Sequence, residues 1–407
     1  MATMLTLLLA LYAAGALAYW LWALQAAIRV RRSVPALEAF DPPPGSLPRL
    51  SVIVAACNEA DTIEPAARTL LAQAYPDLEI LLVNDRSTDA TGTLIDRLAA
   101  EDDRVRAVHV AALPEGWLGK VHALDCGVRA ATGTFLLFTD ADVHFAPGAL
   151  GRAVAWCEAR GLDHLAVMPS LWPTSLLTDA VVGAFIRSFI ALMRPWAVGN
   201  PASRAFIGVG AFNLVRRSAL AQTPGLAWLR MEVADDVGLG LMLKASGARC
   251  GTASAFSLVG LHWYRSLGDA VRGAEKAYAS AGRCRMLPIL IGAGALLAIE
   301  VAPVAGLVAV ALAPANPAAW GLGAVAPISL AANLLLLRWG GGRLLTALLG
   351  PLVAPINAGA FLRAGLLGWW RGGVRWRGTL YPSEALRAGR RVTLPAPRHL
   401  PDLRPRH

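Results

Sequence analysis

Asp140 and Asp142 stand two residues apart at the end of an apolar run, in LLFTDADVHF (136–145). Alternate residues of extended backbone point the same way, so both carboxylates can face one site. Acids that close repel each other unless a cation lies between them. Carboxylate ligands suit a hard divalent ion, Mg2+ or Mn2+, which in turn bridges phosphate oxygens. Taken alone, the pair equally fits a solvated turn with two surface acids. A second acidic focus, Asp235-Asp236, lies in MEVADDVGLGLMLKASG (231–247). Leu239, Met242 and Leu243 follow on one apolar face, which puts the two acids at a helix start. Carboxylates there cap the helix and favour its dipole; one of them could also take a proton from a hydroxyl. Lys120 follows Gly119 at another helix start, where backbone N–H groups and an ammonium can meet phosphate. It is one of three lysines in an Arg-rich chain, and its plainer reading is a solvated surface lysine.

The elements that must carry these residues follow an α/β rhythm. Strands are expected at 50–56, 78–85, 105–110 and 134–140, with helices at 60–74, 91–101 and 119–131 between them. Such alternation implies a parallel sheet covered on both faces. Ligands of such sheets bind outside the carboxyl ends of the strands. Those ends are polar here: Asn58 and Glu59 after the first strand, Asn84 and Asp85 at the second, Asp140 and Asp142 at the fourth. Asp85 could accept hydrogen bonds from a base or ribose. Asp89, in VNDRSTDAT, suits a helix cap.

The flanks are of another kind. The chain has 407 residues, is 56% hydrophobic and has a mean hydropathy of +0.49, too apolar for an ordinary soluble enzyme. Residues 5–28 carry no charge, and roughly 20 apolar residues span a bilayer. Arg29, Arg31 and Arg32 follow and would hold that end in the cytoplasm. The stretch lacks the basic start of a cleaved leader, so residues 1–32 are expected to anchor the chain, with a stiff Pro-rich linker over 33–48. Residues 174–198 read as a helix packed on the core or lying at the membrane surface. Segments 287–313, 319–337 and 344–370 are candidate spans. Three full spans would place the Arg-rich tail, 371–407, outside. The third segment, with Pro351, Pro355 and Arg363, is therefore expected to be broken, re-entrant or interfacial. The net charge of +10 is mostly Arg, without the aromatic interleaving that single-strand binders use, and a nucleic-acid role is not expected. Five scattered cysteines form no CxxC pair and read as small core residues in a reducing compartment.

The ordered motifs AACNEADTI, VNDRSTD, GWLGKVHAL, FTDADVHF, GVGAFNLVRRSAL and ADDVGLGLMLKASG resemble family 2 glycosyltransferases of the GT-A fold. The resemblance covers roughly residues 48–260. With the apolar flanks and the late VRWRGTLY (374–381), it points to the membrane-bound, lipid-directed branch, of the ceramide glucosyltransferase-like, carotenoid- or hopanoid-associated type. It implies an α/β fold with a mostly parallel central sheet and helices on both faces, plus transmembrane helices. The catalytic domain would run over 49–285, followed by membrane or re-entrant segments over 286–370. Asn58, Glu59 and Asp85 would hold the nucleoside, Lys120 the ribose-phosphate region, Asp140 and Asp142 the ribose and a metal-bound diphosphate. Gly208–Phe212 would line the sugar and acceptor side. Asp236 aligns with the general base; Asp235 departs from the usual Glu, which leaves the choice between the two acids open.

The implied activity is inverting transfer from a nucleotide sugar, such as a UDP-hexose, to a lipid hydroxyl, with Mg2+ or Mn2+ as cofactor. The implied location is the cytoplasmic face of the cell membrane, in a multi-pass chain. The QxxRW motif of many processive members is missing, which argues against a polysaccharide synthase, and the intact acids argue against a silent lipid-binding scaffold. The run Arg272–Arg285 and Trp376-Arg377-Gly378 are candidate phosphate contacts, and His262 is either a further metal ligand or a structural histidine.

Overall fold

A computed structural model describes residues 2–42, 45–282, 284–393, 401 and 403. Pro43 and Pro44 of the linker, Arg283 of the basic run and most of the tail beyond 393 lie outside the described residues. In chain order, α1 (Ala2–Ser33) precedes β1 (Leu50–Ala56), α2 (Ile63–Leu71), β2 (Leu78–Asp85), α3 (Thr91–Glu101), β3 (Val105–Val110), α4 (Gly119–Ala130) and β4 (Phe135–Asp140). Next come β5 (His144–Phe145), α5 (Ala149–Arg160), β6 (His164–Leu171), α6 (Leu176–Met193), β7 (Asn213–Arg216), α7 (Arg217–Ala221), α8 (Asp235–Ala245) and β8 (Cys250–Leu261). The chain continues through α9 (Leu267–Ala281), α10 (Met286–Leu312), α11 (Pro317–Gly323), α12 (Val325–Gly340), α13 (Gly350–Arg371), β9 (Gly373–Trp376), β10 (Thr379–Pro382) and α14 (Ser383–Gly389). Two compact units result. One comprises residues 34–170, 195–261 and 375–407, the other residues 1–33, 171–194 and 262–374.

The first unit is built on an eight-stranded sheet of order β3-β2-β1-β4-β7-β6-β8-β5. β1 pairs in parallel with β2 and β4, and β2 with β3. Central parallel strands have both faces covered, and LSVIVAA and FLLFTD are accordingly near-continuous apolar runs, buried at almost every position. Beyond β4 the sheet is mixed, because β7 enters antiparallel to both β4 and β6, and β5 antiparallel to β8. The register sets Ala55 beside Asp140 and Ala56 beside Asn84. The polar ends of β1, β2 and β4 therefore lie along one edge, where the expected chemistry falls.

The second unit is helical. Among the described residues, five helices are long and apolar enough to cross a membrane: Thr6–Ser33, Leu176–Ala197, Met286–Leu312, Pro317–Gly340 and Gly350–Arg371. Several of its polar groups are paired inside it. Pro303 lies within α10 and removes the N–H that the Ile299 carbonyl, one turn earlier, would have received. Trp20 Nε1 donates to that carbonyl at 3.1 Å, while the Tyr12 hydroxyl donates to Ala298 O at 2.7 Å. Arg187 of α6 and Glu300 of α10 form an ion pair with both side chains buried. Arg187 also donates to Asn333 of α12 at 2.8 Å and lies 4.5 Å from the Trp20 ring centroid. Large apolar side chains such as Leu287, Leu307 and Trp369 are exposed on this unit, as a lipid-facing surface would have them.

Candidate active site

β4 ends at Asp140, and Asp142 sits in the turn that follows it. Burial, and then the negative charges of Asp140 and Glu59, push the Asp142 carboxyl up to about 7. Asp140, Asp142 and Glu59 thus share one neighbourhood, and acids raised in this way are the ones a cation would relieve. Among the described residues no group of three or more His, Cys, Asp or Glu side chains stands in metal-holding geometry. The oxygen donors present fit a hard cation that completes its shell with phosphate and water.

Lys120, in the first turn of α4, reaches Asp140 at 2.8 Å and Asp235 at 3.3 Å. Burial alone would lower its pKa; the charges of Asp140, Asp235 and Asp236 outweigh burial and hold the ammonium above its ordinary value. Lys120 therefore bridges the two acidic foci. Asp235 and Asp236 open α8, and their surroundings differ. Asp235 is buried and engaged by Lys120. Asp236 accepts from Gly210 N at 2.9 Å and from its neighbour Val237 N at 2.8 Å. Burial and the adjacent Asp235 raise the Asp236 carboxyl, with Lys120 pulling the other way. Lys120, Asp140, Gly210, Asp235 and Asp236 line one pocket, walled behind by apolar side chains such as Phe138 and Leu239.

The stretch Gly208–Phe212 is brought to this pocket by close backbone packing. A Cβ on Gly208 would stand 1.7 Å from Asp236 O, and one on Gly240 would stand 1.9 Å from Ile207 O. Gly210 lies between the acids, since a Cβ there would be 2.8 Å from Asp140 Oδ2 and 3.6 Å from Asp236 Oδ2.

The expected nucleoside residues line the neighbouring strand ends. Asp85 is buried and accepts from Arg86 Nε at 2.8 Å. Asn58 has a positive φ of 55°, and its side-chain oxygen accepts from Thr88 N at 2.8 Å, tying the loop after β1 to the loop after β2. Asp89 accepts from Thr91 N and Thr91 Oγ1 just before α3, one residue ahead of the N-cap position, Ala90. His262 lies in the helical unit, edge-on to Trp172 with ring centroids 5.2 Å apart. Cys57, Cys126, Cys157 and Cys250 are free thiols.

Residues 51–223 match the family model described as Glycosyl transferase family 2. This segment is a family 2 glycosyltransferase domain. The chain is 34% identical over 117 residues to the uncharacterized glycosyltransferase EpsJ of Bacillus subtilis, covering 29% of this chain and 33% of that relative. It is 34% identical over 201 residues to the beta-monoglucosyldiacylglycerol synthase of a Nostoc species, covering 48% of this chain and 41% of that relative. The chain thus spans well under half the length of either. Among solved structures, a mannosyltransferase from Pyrobaculum calidifontis in complex with GDP-Man and Mn2+ superimposes with a TM-score of 0.52 at 21% identity, covering 89% of this chain and 99% of that one. At that identity the likeness concerns the fold, which is GT-A.

Three features around the glycosyltransferase domain are not apparent from local sequence patterns. Arg86 pairs with Asp85. The buried Glu232 carboxylate accepts from Arg391 N and Val392 N, and so fastens the chain after α14 beside α8. Arg377 pairs with Glu59. A turn signal was available only for the last, in the Arg377-Gly378 pair between two short runs of strand-forming residues.

Proposed function

We propose that the chain is a membrane-bound, inverting glycosyltransferase that moves a sugar from a nucleotide-sugar donor, a UDP-hexose being the favoured case, to a lipid hydroxyl. The observation that carries this reading is the Lys120 bridge between Asp140 and Asp235, beside a separately held Asp236, at the carboxyl ends of the parallel strands of a family 2 domain. The five apolar helices support a lipid acceptor and a membrane location. The lipid acceptor also accords with the printed name of the Nostoc relative. The tail and the glycosyltransferase domain are taken as cytoplasmic, where nucleotide sugars are found.

In this mechanism the strand ends at Asn58, Glu59 and Asp85 hold the nucleoside. Asp140 and Asp142 would hold Mg2+ or Mn2+, whose charge offsets that of the leaving diphosphate. Asp236 takes the proton of the acceptor hydroxyl. It is the better placed of the two acids, because Asp235 is committed to Lys120, and its raised pKa suits a base. The acceptor oxygen then forms its bond to the anomeric carbon as the bond from that carbon to the phosphate oxygen breaks. One in-line displacement inverts the centre. Lys120 holds Asp140 and Asp235 in place as the diphosphate leaves.

The test incubates the purified full chain with a panel of nucleotide sugars, Mg2+ or Mn2+ and a total lipid extract, and reads the lipids by mass spectrometry. A single hexose-sized gain, lost in Asp142→Asn and in Asp236→Asn while both variants stay folded, is the expected result. A ladder of sugars would make the chain a polymerase instead. Near-normal transfer by either variant would remove that carboxylate from its role.

A further inference from the structure

The stretch VRWRGTLYP (374–382) lies outside the residues matched by the family model, yet two of its side chains end among the nucleoside residues. β9 and β10 pair as a two-stranded ribbon. Arg377 and Gly378 turn it, with φ values of 48° and 81°. A two-residue turn with both φ positive matches the right-handed twist of paired strands, which makes this ribbon short and stiff. Arg377 Nη2 pairs with Glu59 Oε1 in the loop after β1. Tyr381 is buried, and its hydroxyl accepts from Gly119 N, the first residue of α4, at 3.1 Å. Gly119 in turn packs on Asp85, where an added Cβ would stand 2.3 Å from Asp85 Oδ2. The ribbon is thereby fastened to two loops at the carboxyl edge of the parallel strands, one after β1 and one leading into α4.

Charge agrees with this placement. The Cys57 thiol is raised by burial and by Asp85, while Arg377 and Arg86 act to lower it. Two guanidiniums and two carboxylates therefore surround the end of β1. Glu59 Oε2 accepts from Thr62 Oγ1 at 2.8 Å, and Oε1 takes Arg377. An ionised carboxylate has about four acceptor sites, so Glu59 held in this way keeps acceptor capacity for hydroxyl or N–H donors of a nucleoside.

We propose that the ribbon Arg375–Pro382 is one wall of the donor-nucleotide site. In it Arg377 is a positioning residue that orients Glu59 toward the nucleoside, and Tyr381 holds the Gly119 turn against Asp85. The proposal rests on the glycosyltransferase reading and extends the donor site to a segment that the family domain does not contain.

The experiment measures binding of UDP and of GDP, each with Mn2+, to the purified full chain by calorimetry, together with donor KM and kcat. A hydrogen bond to a charged group is worth enough that Arg377→Ala should weaken the preferred nucleotide by about 10-fold. Donor KM should rise by a similar factor while kcat stays within about 2-fold. Arg377→Lys keeps the charge but not the planar fork, and should recover only part of the affinity. Tyr381→Phe removes the acceptor for Gly119 N and should weaken the same nucleotide. Wild-type affinity in Arg377→Ala, or a loss confined to kcat, overturns the proposal. If Arg377→Ala does not fold, wild-type affinity in folded Arg377→Lys overturns it equally. Failure of the wild-type chain to bind either nucleotide overturns the glycosyltransferase reading itself, a result distinct from equal binding by wild type and variants.

Discussion

Gly208 packs so closely on the backbone of Asp236 that an added Cβ would stand 1.7 Å from the Asp236 carbonyl oxygen. The contact joins the stretch before β7 to the start of α8, and so fixes where the Asp236 carboxylate is presented. The obstacle is backbone, which cannot rotate aside as a side chain can.

Gly208→Ala must therefore move the start of α8. Overpacking of this kind costs about 1–3 kcal/mol. The effect on the site should exceed the effect on stability, because the displaced element carries both Asp235 and Asp236. Glycosyl transfer should fall more than about 10-fold, since sub-ångström placement is worth that much in catalysis. Gly294→Ala is the control, as nothing lies within 4 Å of its added Cβ. Equal turnover in the two variants would contradict the role given to this contact.

Glu79 offers a pH-dependent test of the sheet. Its carboxylate is buried on β2 and accepts from Ser51 Oγ at 2.5 Å, Thr132 N at 2.9 Å and Arg106 Nη1 at 2.7 Å. Burial pushes Glu79 up, but these hydrogen bonds outweigh it and hold the group at about 2. An unfolded glutamate titrates near about 4.3. The stabilisation is therefore complete above that value and is lost as pH falls from about 5 toward 2. At pH 7, Glu79→Gln should cost about 1–3 kcal/mol. Thermal melts of the full chain in detergent should show wild type and variant converging on acidification. A gap that stays constant down to pH 3 would count against this account.

The Arg187–Glu300 pair is buried on both sides. Asn333 and the Trp20 ring meet Arg187, but Glu300 Oε2 and Arg187 Nε have no hydrogen-bond partner, so the desolvation of the pair is only partly offset. Removing one member leaves a buried charge alone, and Glu300→Leu or Arg187→Met should each cost about 3–5 kcal/mol. The double replacement removes both charges and should restore most of the lost stability. Melting temperatures of the four proteins decide this, and additive losses in the double variant would disprove it.

Much of the fold that carries the candidate site was legible in the amino-acid sequence because its signals are local. The strands read at 50–56, 78–85 and 105–110 have those bounds in the structure; the first two are the near-continuous apolar runs that twice-covered strands need, while the third, at the sheet edge, is partly exposed. The polar residues at their carboxyl ends fall on one edge because parallel strands in register bring like ends together. The ordered motifs resemble family 2 glycosyltransferases, and residues 51–223 match the model of that family.

The tertiary structure decided the pairings. No local pattern reveals that Lys120 lies between Asp140 and Asp235 rather than free at a helix start. Nor does any pattern show that Asp235 is the acid paired with Lys120 and Asp236 the one held by Gly210, or that the strands after β4 turn antiparallel. Arg377 meets Glu59 across 318 residues of chain. Periodicity reports which face of an element is apolar; it carries nothing about which distant side chain arrives opposite, because that is set by how whole elements pack and by charges that must be paired once water is excluded.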